Sequence, residues 1–308
     1  MRITQSMIAR NTLKDLQNSS NSLVDVQQKL SSGKQIENPS DDPAGMVSVL
    51  SYRGEISGQS QYGKDMTSCS AWMTSTSTAL QSMESSLLSI EDLSSQANTD
   101  ILTAAQKKSI GEEINQYLEE LVDTTNETSS GKSLFSGLNT GTSAFSATRD
   151  SDGKITAVTQ NADVSGSNAA MLRKIGKNQS VTINVTGVSL MQPDGAGAST
   201  DIFATLVSLR DALYSGDSST AKAATQSISD AYDRVVAADS KIGSVINRVT
   251  SSQTRLTTNK TQLTESLSNV EDADYTETST EYYQKKSAYD AALQVSAQIV
   301  QMTLLKYM

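Results

Sequence analysis

The sequence predicts a mainly α protein: an elongated, coiled-coil-like helical bundle built from both halves of the chain, with a small β-containing domain inserted between them. Three observations predict it. Ile228, Val235, Ile242, Val249, Leu256, Leu263 and Val270 stand seven apart without a slip, joined four residues on by Tyr232, Ile246 and Leu267. That spacing is the seam of a long helix that needs helical partners. A second ladder climbs in alternating steps of four and three: Tyr62, Met66, Cys69, Met73, Thr76, Leu80, Met83, Leu87, Ile90, Ser94, Ala97 and Ile101. Between the two ladders, over 138–200, helical periodicity vanishes and β-prone runs replace it.

A helix from Ile228 to Val270 would run about 63 Å at roughly 1.5 Å per residue. A compact globule of this chain length would be only about 50 Å across. The helix is therefore expected to form part of a rod. Asp239, Gln253 and Lys260 occupy seam positions, which disfavours a tight two-stranded zipper and favours a shallower contact among several helices. The ladders lie in opposite halves of the chain, so the simplest architecture folds back on itself with both termini at one end.

Residues 1–42 read as a terminal helix and a linker. Ala9, Leu16, Leu23 and Leu30 repeat every seven positions, with Leu13 and Val26 beside them. Ser19 and Ser20 thin the stripe, so the helix alone is marginal in water. Gly33 suits a C-terminal cap. Over Leu30–Gly45 the chain reads as helix stop, short extended link and helix start. Asn38 precedes Pro39 and is biased away from helix. Asp42 is placed to cap a helix whose first residue is Pro43. Capping and dipole complementarity explain Asp41 and Asp42 better than a metal site does.

Residues 43–137 form the first half of the rod. A turn near 98–102 leads to Thr103 and Gln106, a capping-box spacing. The helix after it carries Ile110, Ile114, Tyr117, Leu121 and Thr124 and ends before Gly131. Gly131-Lys132-Ser133 fails as a phosphate loop, because the required upstream glycine position holds Asn126. Leu134 and Phe135 are expected to tuck under the end of the rod.

Residues 138–200 form the inserted domain, expected to face outward. Ile155 and Val158 lie in a β-prone run. Val181, Ile183 and Val185 alternate with Thr182, Asn184 and Thr186 as a half-buried strand would. Asp150 to Gly153 reads as a hairpin turn rather than a calcium loop, since no downstream ligand set follows. Residues 194–200 look like the return link. Residues 201–270 complete the rod, with Ile202, Leu206, Leu209 and Leu213 before the central ladder. Residues 271–308 begin with an acidic interruption at Glu271 to Thr280 and end in a terminal helix. That helix carries Tyr289, Leu293, Ile299, Val300, Met302, Leu304 and Leu305, and no charge falls between Asp290 and Lys306. Such an apolar end is expected to be covered by the N-terminal helix and by copies of both.

Composition narrows the function classes. The chain has 308 residues, a net charge of −9, 36% hydrophobic and 5% aromatic residues. Those fractions are low for one large globular core. No basic stripe is present, so nucleic-acid binding is not expected. The chain has no histidine, which removes the commonest acid–base group and metal ligand. Cys69 is the single cysteine and is expected as a small buried side chain. The acidic residues read as caps and solvated faces rather than the paired carboxylates of a glycan hydrolase. No enzyme activity, cofactor or metal is expected. Residues 1–10 lack the apolar core of a cleavable signal, and 291–305 is too short and too rich in glutamine for a bilayer span.

Leu30–Gly45 closely resembles the N-terminal signature of the flagellin superfamily, with Gly33, Asp41, Asp42, Pro43 and Gly45 as its marked positions. Val270–Tyr275 and Tyr289–Gln294 resemble its C-terminal counterpart. The opening Met1-Arg2-Ile3-Thr4, the run Gly131–Gly137 and the close Leu304–Met308 resemble the branch that joins hook to filament. The resemblance implies export unfolded through the flagellar type III apparatus. It implies an extracellular place at the hook–filament junction of the bacterial flagellum. It also implies four partners: the first hook-associated protein, flagellin, copies of the chain itself and a cytoplasmic export chaperone. In that family the terminal segments are disordered in the monomer and become helices on polymerisation. The assembly interface is thus expected on Ala9, Leu13, Leu16, Leu23, Val26 and Leu30 and on the C-terminal residues named above. A short flagellin forming the filament itself is the alternative within the family. A cytoplasmic signalling coiled coil is the alternative outside it.

Overall fold

The computed structural model describes the backbone of residues 5–99, 102–161, 170–216 and 219–305, and their side chains except at 5–6, 219–221 and 299–305. Among these residues the chain is mainly α, a helical bundle with a small strand-containing region. Its helices are α1 (Gln5–Ser32), α2 (Pro43–Ala97), α3 (Ala104–Thr125), α4 (Gly187–Met191), α5 (Ile202–Ser215), α6 (Ser219–Glu271) and α7 (Tyr275–Leu305). Three antiparallel hairpins, β1–β2 (Thr128–Ser129 with Lys132–Ser133), β3–β4 (Phe145–Arg149 with Ile155–Gln160) and β5–β6 (Leu172–Gly176 with Gln179–Thr182), lie between α3 and α4. The chain divides into a terminal unit, residues 1–59 with 257–308, and a central unit, residues 60–256.

In the central unit, α2 and α6 contribute one core. Met66, Met73, Leu80, Met83, Leu87 and Ile90 on α2 are fully buried, as are Ile228, Val235 and Val249 on α6; Ile242 is almost so. Ile110, Ile114, Leu118 and Leu121 of α3 and Phe203, Leu206, Leu209 and Leu213 of α5 complete it. The capping box opens α3: the Gln106 N–H donates to the Thr103 hydroxyl, and the Thr103 N–H to the Gln106 side chain. Two polar seam layers are satisfied across the bundle, Ser94 with Thr225 at 2.8 Å and Ser77 with Asp239.

The strands share that core. Ile155, Val158, Ile175, Val181 and Ile183 belong to the same cluster as the helical residues, and Phe145 meets Phe203 edge-on at 5.1 Å. Buried polar side chains fasten the two parts together. Arg210, 3% exposed, donates to the Ile155 carbonyl at 2.6 Å, and Gln192 donates to the Val158 carbonyl at 2.8 Å. Leu134 and Phe135 are buried in this core as well.

Local readings differ from the structure at three points. The strand through Val181 stops at Thr182 instead of reaching Thr186, because Thr186 caps α4 by accepting from the Ser189 N–H. The acidic interruption before the last helix is shorter than Glu271 to Thr280. α7 starts at Tyr275, where Asp274 accepts from the N–H groups of Thr276 and Glu277, and an N-terminal carboxylate favours a helix. Residues 128–133 form a hairpin, with Ser130 (φ 53°) and Gly131 (φ 74°) as a two-residue turn. Positive φ at both turn residues matches the right-handed twist of the flanking strands.

Candidate assembly surface

In the terminal unit α1 packs against α7. On α1 the expected stripe is covered unevenly. Val26 is buried, and Leu16, Leu23 and Leu30 are half-buried. Ala9 is exposed and Leu13 is 57% exposed, so neither is covered by the described residues. On α7, Tyr289 is half-buried and Leu293 is exposed. Ile299, Val300, Met302, Leu304 and Leu305 fall where side chains lie outside the described residues, as does Ile101 of the α2 ladder.

The sequence reading passed over other exposed apolar side chains: Met7, Ile8 and Val24 on α1, Val47 and Leu50 on α2, and Tyr275, Tyr283 and Val295 on α7. A signal for Val47 and Leu50 was present. Met46, Val47, Val49 and Leu50 put apolar residues on more than one face of a helical turn, and a helix apolar all round needs a second partner. Met46 and Val49 face inward with Ile36, and Leu267 and Val270 pack against them.

The ladder residues Tyr62, Leu256, Leu263 and Val270 are only half-buried. Tyr62 and Leu256 pack on the margin of the central core, and Val270 on the three-residue core of the terminal unit. Burial requires a covering layer, and at these positions the described residues supply only part of one.

The residues that resemble the family signature sit in the connector between α1 and α2, and each has a local task. Gly33 ends α1 at φ +70°, a conformation that costs glycine no Cβ clash, and its N–H donates to the Lys29 carbonyl at 2.9 Å. The Asp41 carboxylate accepts from the N–H groups of Asn38 (2.8 Å) and Glu37 (3.1 Å), which hold it below its ordinary pKa. Asp42 accepts from the Ala44 N–H at 3.0 Å and so caps α2, with Pro43 as the first helical residue. A Cβ on Gly45 would stand 2.5 Å from both Ile36 Cδ1 and Asp42 Oδ2, so a larger residue here would have to displace the ends of those two side chains.

That connector is clamped to the one between α6 and α7. The Gln35 N–H donates to the Glu271 carbonyl at 2.7 Å, the Ala273 N–H donates to the Gly33 carbonyl at 2.9 Å, and Lys34 pairs with Asp272 in an antiparallel bridge. Glu271, with its side chain 5% exposed, accepts from Lys34 Nζ at 2.7 Å and from the Arg53 guanidinium. Burial alone would raise its carboxyl; the two cations outweigh it and hold the carboxyl below its ordinary value. Sequence reasoning missed this clamp, since a glutamate in an acidic run gives no sign of a partner more than two hundred residues away.

Among the described residues no group of histidine, cysteine, aspartate or glutamate could hold a metal ion, and no helix is long and apolar enough to cross a membrane. Cys69 is 3% exposed, and burial pushes its thiol up, as expected of a packing residue.

Residues 3–140 match the bacterial flagellin N-terminal helical region, and residues 225–308 match the bacterial flagellin C-terminal helical region. The chain is 22% identical to flagellar hook-associated protein 3 of Escherichia coli over 304 residues, which covers 95% of each chain. It is 20% identical to the Salmonella typhimurium protein of the same name, covering 99% of each. Among solved structures it resembles a Vibrio parahaemolyticus chain described as a flagellar hook-associated protein (TM-score 0.66, 21% identity, 75% of this chain and 100% of that one). It also resembles hook-associated protein 3 of Legionella pneumophila (TM-score 0.60, 14% identity, 72% and 98%). Two flagellin terminal regions in their proper order, with relatives matched from end to end, lead to one conclusion: this chain belongs to the flagellin superfamily of structural flagellar proteins.

Proposed function

We propose that the chain is the structural adaptor of the bacterial flagellum that joins the hook, through the first hook-associated protein, to the flagellin filament. It has no catalytic role in this reading. The relatives' names support the place in the flagellum, and the distribution of exposed apolar side chains carries the mechanism. Among the described residues, ten of the thirteen large exposed apolar side chains belong to the terminal unit, whose own buried cluster is three residues, Ile36, Met46 and Val49. Neighbouring subunits bury those faces, with Leu13 and Leu293 among the contacts. The most apolar stretch, 291–305, joins them on assembly. Ordering a segment costs roughly 1–2 kcal/mol of backbone entropy per residue, so the ends order where copies or related neighbours cover them. Before export, a cytoplasmic chaperone covers this C-terminal stretch and keeps it from premature association.

The test is removal of residues 291–308. The truncated chain is expected to be exported yet fail to join hook tips, leaving cells without filaments. Normal filaments on the truncated protein would overturn the mechanism. Long filaments formed by the purified intact chain alone would assign it to the filament instead.

A further inference from the structure

The central unit holds a cleft of about 770 Å³ between α2, hairpin β1–β2 and strand β5, apart from the terminal helices. Its walls carry Lys132, Arg173 and Lys174 against one carboxylate, Asp65. None of the three cations has an ion-pair partner among the described residues. A local excess of positive charge in a chain of net charge −9 selects for an anionic occupant. Trp72 also lines the cleft, and its buried indole N–H has no hydrogen-bond partner among the described residues. An indole buried in this way ordinarily finds an acceptor, and leaving the donor unmade is costly.

The third wall gives the shape of the occupant. Met171, Leu172, Arg173 and Lys174 all border the cleft, although consecutive residues of a strand point to opposite faces. Three consecutive strand residues, with Met171 just before them, therefore border it along the edge of the strand. Among the described residues strand β5 pairs with β6 alone, and its other edge is placed to accept an added strand. Leu172, 63% exposed, stands beside that edge.

We propose that this cleft docks an extended acidic peptide segment of a partner protein. The segment adds to that edge of β5, sets carboxylates against Lys132, Arg173 and Lys174, and offers an acceptor to the Trp72 indole. Its apolar side chains, alternating with the acidic ones, cover Leu172.

Trp72 is the only tryptophan of the chain, so its emission reports on the cleft. The intact chain is titrated with a blocked nine-residue peptide alternating Glu and Val, with its Gln counterpart, with the same Glu peptide N-methylated on alternate backbone nitrogens, and with an oligomer of glucuronic acid. The Glu peptide is expected to shift the emission saturably. The Gln and N-methyl peptides and the uronate should bind at least tenfold more weakly. The pair Lys132→Ala with Arg173→Ala should lose tenfold or more in affinity, whereas Asp65→Asn should tighten binding several-fold, a gain that misfolding does not produce. No saturable shift, equal binding of the Glu and Gln peptides, uronate binding as tight as the peptide, or indifference to N-methylation would each overturn the proposal.

Discussion

The central and terminal units use the same helical grammar and bury it to different depths. On α6 the same heptad ladder supplies Ile228, Val235, Ile242 and Val249, all buried, to the central unit, and Leu263 and Val270, both half-buried, to the terminal unit. The difference lies in what covers the seam. In the central unit α3, α5 and the hairpins close over it with Phe145, Phe203, Leu118 and Leu209. In the terminal unit the described cover is thin, and Leu13, Val24, Val47 and Leu50 stay in solvent. A heptad repeat records that a helix has an apolar face; it does not record whether the partner for that face is in the same molecule.

The comparison can be broken most forcefully in the central unit. Phe203→Ala removes a fully buried ring and should cost about 3–5 kcal/mol, read by denaturant unfolding of the intact chain. A loss below about 1 kcal/mol would show that the central core is not the source of stability. Next comes Glu271→Ala in the terminal unit. Its partners are more than a third exposed, so solvent screening reduces the loss to about 1–2 kcal/mol. Amide exchange at 33–36 and 271–273 should accelerate while the central helices stay protected; uniform acceleration would mean that the clamp acts on both units alike.

Acid gives a milder version of the same perturbation. In the folded chain the Glu271 carboxyl lies below its ordinary 4.5, and those of Asp41 and Asp274 lie below 3.8. The unfolded chain therefore binds more protons through that range, and stability drops as the pH is lowered. The contribution is complete above 4.5 for Glu271 and disappears as pH drops through the depressed values. Protection of the connector amides, taken against their intrinsic exchange rates at each pH, should fall on acidification, and Glu271→Gln should flatten that response. The smallest effect on the free chain is expected for Leu13→Ala, within about 0.5 kcal/mol, together with a severe loss of assembly. A large loss of monomer stability would show that Leu13 is covered within its own chain.

Much of this protein was determined by local sequence. The two ladders, the capping box at Thr103 and Gln106, the Asp42–Pro43 helix start and the Asp150–Gly153 turn, where Asp150 accepts from the N–H groups of Asp152 and Lys154, all depend on residues a few positions apart. Periodicity and capping act over one or two turns, so they are legible without a fold. Tertiary structure alone decided that the hairpins join the helical core through Ile155 and Val181, and that Val47 and Leu50 stay uncovered. It alone brought Arg53 to Glu271, 218 residues away in the chain, and closed a cleft around Trp72 from three separate segments. Those features depend on which distant surfaces meet, and a one-dimensional pattern specifies the faces that must be buried without specifying their partners.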